Sequence, residues 1–364
     1  MPRSAVRRLV WLSALIVGIW LLSNTLEIRK TAYSCRTISS CFGLGTRHSY
    51  SYPVPAAIPD ESGRTLQDGT TRFDRRLPHA KLEILVVVLS KDAASWSSDF
   101  RSMQRSAYDF VDLLVSTALN LTTVSLAMMT ASAEEYGSMK SASARYPFGR
   151  VTLLHSRDAE TGTQYQNRHD PAVQLARRSA LAILRNRLMS SALEDEKHVL
   201  WLDADVVELS KGIVQTMLRH SDENGDAGII TALCHQNQME NYDKNAWRLG
   251  DDAGLLATIT DDQRGQAYSK LVDTRLMLPD VVQGTDDDAL IPIDSVGGTL
   301  LYVRGDLVRQ GLVFPHFNIV GTMWGQAGWV GVETEGLCYM ARGLKGGGCY
   351  ALGGKHHARH TDWG

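Results

Sequence analysis

The chain has 364 residues, 44% of them hydrophobic and 21% charged, and a formal net charge of −2. Near-neutrality argues against a general nucleic-acid binder or a polybasic membrane-surface protein. Its five cysteines are too few for a disulfide scaffold. In chain order, Arg3, Arg7 and Arg8 precede an apolar run from Leu9 to Leu22, broken by Ser13 and Gly18, with a tail to Leu26. That is the length of a short membrane span. Residues 1–8 then form a short cytosolic tail and residues 9–26 a signal-anchor transmembrane helix. A cleaved signal peptide is the rival reading, but Trp20, Leu21 and Leu22 are bulky where a peptidase requires small residues. Basic residues before the span stay cytosolic, which places the rest of the chain in a lumen or outside.

Residues 27–80 are rich in Ser, Thr, Arg, Pro and Gly, with Pro53, Pro55 and Pro59 clustered. They read as a stem or linker, in which Cys35 and Cys41 lie close together. A globular domain over 81–364 follows. It opens with the near-continuous apolar run Leu82–Leu89, a strand buried on both faces as in a parallel sheet. Lys91 and Asp92 follow that strand, where α/β sheets bind ligands. A helical stretch is expected around Trp96 to Leu119, with further strands at Thr123–Met129 and Arg150–Leu154. The alternation predicts an α/β domain built on an open mixed sheet flanked by helices. Asn120-Leu121-Thr122 is an N-glycosylation sequence, usable where that side is lumenal and exposed.

Arg168-His169-Asp170-Pro171 is a polar turn suited to starting a helix that runs through Leu188. Leu181, Leu184 and Leu188 share one face of it, and Arg178 and Arg185 share another. These arginines, with Arg177, suit either a solvated basic face or the neutralisation of a leaving diphosphate. The next strand, His198-Val199-Leu200-Trp201-Leu202, runs into Asp203-Ala204-Asp205. Strand periodicity would project both carboxylates to one side, forming an oxygen-rich site for a hard divalent cation that can hold a diphosphate. The plainer reading is a strand followed by a polar turn. Cys338 and Cys349 lie close together near the C-terminus, and Cys234 stands apart.

Several ordered motifs together resemble the fungal α-1,6-mannosyltransferases of the Golgi mannan polymerase complexes, glycosyltransferase family 62. They are Arg168-His169-Asp170, Gln174 to Leu181, Leu200 to Glu208, Tyr242-Asp243-Lys244-Asn245-Ala246-Trp247, Asp294 to Val303, Gly311 to Pro315 and Glu333-Thr334-Glu335-Gly336. The likeness spans roughly Leu82 to His360. It implies a GT-A-like fold, a GDP-mannose donor, manganese or another divalent cation, and a mannan or N-glycan outer-chain acceptor. It further implies a single-pass type II protein of the Golgi membrane that works with other mannosyltransferase subunits.

Carried onto this sequence, the resemblance makes Asp203 and Asp205 metal ligands, with His360 completing the set. The local sequence Gly353-Gly354-Lys355-His356-His357 departs from the family pattern, so His356 and His357 are alternatives. Residues 321–332 form an insertion between two motifs. Arg177 or Arg178 would assist the leaving diphosphate. Asp92, Asp243 and Asp294 would contact the nucleotide or sugar, and Glu333 or Glu335 would bind or deprotonate the acceptor hydroxyl. A turn cap is the structural alternative for Asp243, behind the ligand contact. An α-linked product from an α-linked donor means retention, through same-face attack within an ion pair where no second carboxylate serves as nucleophile. A non-catalytic subunit that stabilises such an assembly is the alternative function. A different sugar donor is a third, because two aspartates specify neither base nor sugar.

Overall fold

The computed structural model describes residues 59–98, 103–157, 171–237, 239–250, 260–322 and 328–361. The expected tail, the anchor at 9–26, most of the stem and the turn at 168–170 lie outside them. No helix among the described residues is long and apolar enough to cross a membrane.

The strands in chain order are β1 (Asp60–Thr65), β2 (Thr71–Arg76), β3 (Ile84–Ser90), β4 (Val124–Thr130), β5 (Arg150–His155), β6 (His198–Leu202), β7 (Val206–Leu209) and β8 (Ala227–Thr231). They continue with β9 (Leu233–His235), β10 (Trp247–Arg248), β11 (Leu276–Met277), β12 (Leu290–Pro292), β13 (Leu300–Arg304), β14 (Gly348–Leu352) and β15 (His357–His360). Ten of them form one mixed sheet in the order β1-β2-β5-β4-β3-β6-β13-β8-β14-β12. Its centre, β5-β4-β3-β6, is parallel. The sequence dictates this: every side chain of β4 is buried, and β3 is buried along almost its whole length, as strands covered on both faces require.

The principal helices are α1 (Ala107–Ser116), α2 (Ala133–Ser143), α3 (Pro171–Ala192) and α4 (Ile213–Glu223). On one face of the sheet, Ala182, Leu184, Leu188 and Met189 of α3 join Leu85, Val87, Ala127 and Met129 in one apolar cluster. The alternate strand residues turn to the opposite face, where α2 packs on β4 and β5 and α1 packs on α2. A second sheet of three strands, β7-β15-β9, stands beside the first.

Two expectations are corrected here. The folded part begins well before residue 81, because β1 and β2 form a hairpin that extends the main sheet beyond β5. β2 alternates buried and half-buried residues along Thr-Arg-Phe-Asp-Arg-Arg, a half-covered edge that does not read as an apolar run. The single helix expected around 96–119 is instead a 3-10 turn, Ala93–Trp96, and the separate helix α1. Ser106 and Asp109 form a capping box that starts α1 afresh.

Cys338 and Cys349 are disulfide-bonded across 11 residues of sequence, and Cys234 is a buried free thiol. A loop of that length contributes about 3 kcal/mol in the chain-entropy picture.

His198, at the start of β6, is buried, and its Nδ1–H donates to the Tyr302 hydroxyl at 2.8 Å. Burial lowers its pKa from 6.5 to about 4, against the opposing pull of Asp222. The folded chain therefore keeps this ring neutral while the unfolded chain protonates below pH 6.5. The stability is present above that pH and lost as pH falls towards about 4. The full shift amounts to about 3 kcal/mol, and roughly 2 kcal/mol when the partial solvation of the ring is discounted. Denaturation of His198→Gln between pH 7 and pH 4 should show a shallower loss of stability than wild type by that amount.

Candidate functional site

β6 ends at Leu202, and Asp203-Ala204-Asp205 turn the chain onto β7. Val206 N–H donates to the Asp203 carbonyl at 3.2 Å and closes the turn. The two carboxylates are thus presented by a turn, not by the pleat of a strand. Both line a cavity of about 820 Å³ beyond the carboxyl ends of β3, β4 and β6. That volume suits a ligand of substantial size, and the place is where parallel sheets bind one.

Each aspartate has a different partner. Asp203 accepts from Arg185 Nη2 at 3.1 Å, and its side chain is 38% exposed towards the cavity. Its burial among protein groups raises its pKa to about 7, against the lowering effect of Arg185, with Asp205, Asp243 and Glu333 adding like charge. Asp205 Oδ2 lies 2.8 Å from His360 Nε2. Burial alone would lower the His360 pKa, but the Asp205 carboxylate outweighs it and the net shift is upward. His360 Nδ1 donates to the Thr361 carbonyl at 3.1 Å, so Nε2 is the nitrogen turned to the turn. The Tyr242 ring packs on the His360 ring at 4.2 Å between centroids.

The strand pairing selects this histidine. β15 pairs with β7, and the register shifts between Arg359 and His360, a bulge that sets His360 opposite Val206. Alternation buries Ala358 and His360 and leaves His357 and Arg359 half-buried on the other side. His357 packs against His235, and His356 faces Ser210. Neither lines the cavity.

Arg185 is the centre of a second network. Its Nε donates to Glu333 at 2.8 Å while its guanidinium stacks 4.9 Å from the Trp201 ring. Glu333 has φ 62, a left-handed backbone that a long side chain seldom adopts and that occurs at functional sites. Beside it, Arg178 bonds Glu335 at 3.1 Å and the Val332 carbonyl at 2.6 Å. The arginine face of α3 is therefore committed to Glu333, Glu335 and Asp203 and is not a solvated stripe.

The remaining candidates divide. Asp92, Arg177 and Arg178 line the cavity. Asp92 also accepts from Ala94 N–H at 3.0 Å and starts the 3-10 turn. Asp243 reaches the cavity wall, but its Oδ2 accepts from Gly298 N–H at 2.7 Å, Thr299 N–H at 3.1 Å and the Thr299 hydroxyl at 3.2 Å. A Cβ at Gly297 would sit 2.2 Å from that carboxylate, which is why glycine stands there. Asp243 thus clasps a loop as well as lining the cavity wall. Asp294 and Glu335 do not line the cavity. Asp294 is held by Leu249 N–H at 2.8 Å and Arg342 at 2.9 Å. Glu335 is buried against Arg178, Trp247 Nε1 at 3.4 Å and Arg275 at 3.9 Å.

Arg105 carried no sequence signal, since it belongs to no periodic face or motif. It is buried, and it donates to the carbonyls of Trp96 at 3.1 Å, Ala204 at 3.3 Å and Val206 at 2.8 Å. It therefore braces the aspartate turn from behind. Arg105→Met removes a charged donor from three carbonyls and is expected to cost about 2–3 kcal/mol. Urea denaturation measures that loss.

The Anp1 family model matches residues 71–318 of the chain. The mannan polymerase complex subunit mnn9 of Schizosaccharomyces pombe is 30% identical over 207 residues, covering 55% of this chain and 57% of that protein. The mannan polymerase complex subunit MNN9 of Candida albicans is 30% identical over 209 residues, covering 55% and 54%. The mannan polymerase I complex VAN1 subunit of Saccharomyces cerevisiae is 26% identical over 224 residues, covering 60% and 39%. The matched region spans little more than half the length of the first two relatives. With the model matching most of its length, the chain belongs to the Anp1 family.

Proposed function

We propose that this chain is a metal-dependent, retaining mannosyltransferase with a GT-A-like fold. It would transfer mannose from GDP-mannose to a mannan or N-glycan acceptor, in a complex with other mannosyltransferase subunits. The observation that carries the reading is the gathering of Asp203, Asp205 and His360 at one wall of a nucleotide-sized cavity. The names of its relatives support the substrate class and the assembly. Placement in the Golgi lumen is part of the proposal, supported by the disulfide, which belongs to oxidising compartments.

The residues fit a divalent cation of the manganese type. Two carboxylates and one imidazole are an oxygen-rich, borderline donor set. The Nδ1–H bond from His360 to a backbone carbonyl is the arrangement that fixes a metal-binding imidazole. Asp203 lies among the like charges of Asp205, Asp243 and Glu333, with Arg185 at 3.1 Å as its counter-ion. Among the described residues no three such side chains cage an ion unaided. A cation here would need substrate phosphates to complete its coordination. When bound, the metal would supply Lewis-acid stabilisation of the departing diphosphate.

The chain's own residues would do the rest. Asp203 and Asp205 hold the cation, and Arg105 fixes their turn. Arg177 faces the leaving diphosphate from α3. Arg185 balances Asp203 and Glu333 together, keeping their charge inside the wall. Glu333, at the cavity with a constrained backbone, would take the acceptor-side role, and Glu335, away from the cavity, would not.

The second reading, a non-catalytic subunit, draws on one feature: Arg185 and His360 already pair both aspartates directly. A donor screen with the purified full chain in detergent, with and without manganese, separates the two. Manganese-dependent turnover of GDP-mannose, with linkage analysis of the product, is the expected result. Turnover of another nucleotide sugar would replace the donor, and no turnover by a folded chain would sustain the subunit reading.

A further inference from the structure

We propose that Asn120 is an N-glycan acceptor, so that this chain is itself a glycoprotein. The inference rests on the lumenal placement proposed above. Asn120-Leu121-Thr122 is the one Asn-x-Ser/Thr sequence in the whole chain. It occupies the exposed turn that links α1 to β4. Leu119 and Leu121 are buried on either side, and they pin the turn while Asn120 and Thr122 face solvent.

The side-chain geometry presents the amide. Asn120 Oδ1 accepts from Thr122 N–H at 3.3 Å and from the Thr122 hydroxyl at 2.8 Å. With the oxygen held inward by its own turn, Nδ2 is the outward end of the side chain. The co-reactant is a lipid-linked oligosaccharide diphosphate. Nδ2 would form a bond to the anomeric carbon, the sugar–phosphate bond would break, the lipid diphosphate would leave, and the amide would lose one proton.

Position makes the modification compatible with an open cavity. Asn120 precedes β4, whereas Met129, near the far end of β4, lines the cavity. The seven residues of β4 separate the two ends, a distance of roughly 23 Å at about 3.3 Å per residue. A bulky, hydrated oligosaccharide at Asn120 would cover the base of the sheet and leave the aspartate turn uncovered. The Cys338–Cys349 disulfide is an independent mark of the compartment in which such transfer takes place.

The test expresses the full chain in a eukaryotic host and compares its mobility before and after endoglycosidase. The expected result is one glycosidase-sensitive step, kept by Thr122→Ser and abolished by both Asn120→Gln and Thr122→Ala. Two independent variants guard against a misfolded one. Gly63→Asn serves as a reporter, because with Arg64 and Thr65 it completes a second acceptor sequence on β1, whose residues are all exposed. Use of that site but not of Asn120 overturns the proposal and leaves the lumenal placement standing. Use of neither site overturns both.

Discussion

Under the proposed metal-dependent reaction, Asp203→Asn is expected to abolish transfer while leaving the fold intact. The amide keeps the volume and one acceptor oxygen but cannot supply the charge that holds a cation. Loss of about 3–4 kcal/mol of charge stabilisation corresponds to a fall of roughly 10²–10³-fold in turnover. Stability should change by less than about 1 kcal/mol. The substitution loses the Arg185 ion pair at 3.1 Å but also relieves the crowding with Asp205, Asp243 and Glu333 that raises the Asp203 pKa to about 7. Full activity with a normal melting curve would remove the metal role from this residue, and a chain that fails to fold would show that Asp203 is needed by the core.

Arg185→Met should have the opposite signature, a large loss of stability. Arg185 is 6% exposed at its side chain, as Glu333 is 7% exposed, and they meet at 2.8 Å. Removing the cation strands a buried carboxylate, at a cost of about 3–5 kcal/mol. Glu333→Gln added to Arg185→Met should recover much of that loss, since it discharges the stranded group. Chemical denaturation of the two single variants and the double gives the coupling directly. Additive losses would show that the pair is not the connection.

The central strands and α3 were legible because each is written locally, whereas the turn at Asp203 replaced the expected pleat. Leu82 to Leu89 is an apolar run with one reading, and Arg178 and Arg185 share a face by spacing alone. The edge hairpin was missed because β1 is exposed throughout and β2 is only half covered, so neither carries an apolar run. Asp243, Asp294 and Glu335 show a different limit. A carboxylate in a motif looks the same in sequence whether it faces a ligand or clasps a loop, and only the placement of Gly298, Leu249, Arg178 and Arg275 decides. Arg105 was illegible for the same reason: its partners are backbone carbonyls, which every residue has.

The pairing of β15 with β7 also sets an order of assembly. The His357 N–H bond to Ser210 Oγ closes a span of 147 residues. Loop closure over that length costs about 4 kcal/mol in chain entropy before any contact rewards it. Within the parallel centre, β3 pairs with β4 and β4 with β5 over short stretches of chain, but the pairing of Ile84 with His198 joins β3 to β6 across a span nearly as long, at nearly the same cost. Both β6, which leads into Asp203, and β15, which carries His360, therefore depend on long closures, so the aspartate turn and its histidine come together late in folding. Pulse-labelled hydrogen exchange during refolding should show the amides of 357–360 protected after those of 84–90, and simultaneous protection would show that both sheets form in one step. A nascent chain ordered in this way would not bring Asp205 and His360 together until two segments far apart in sequence had joined.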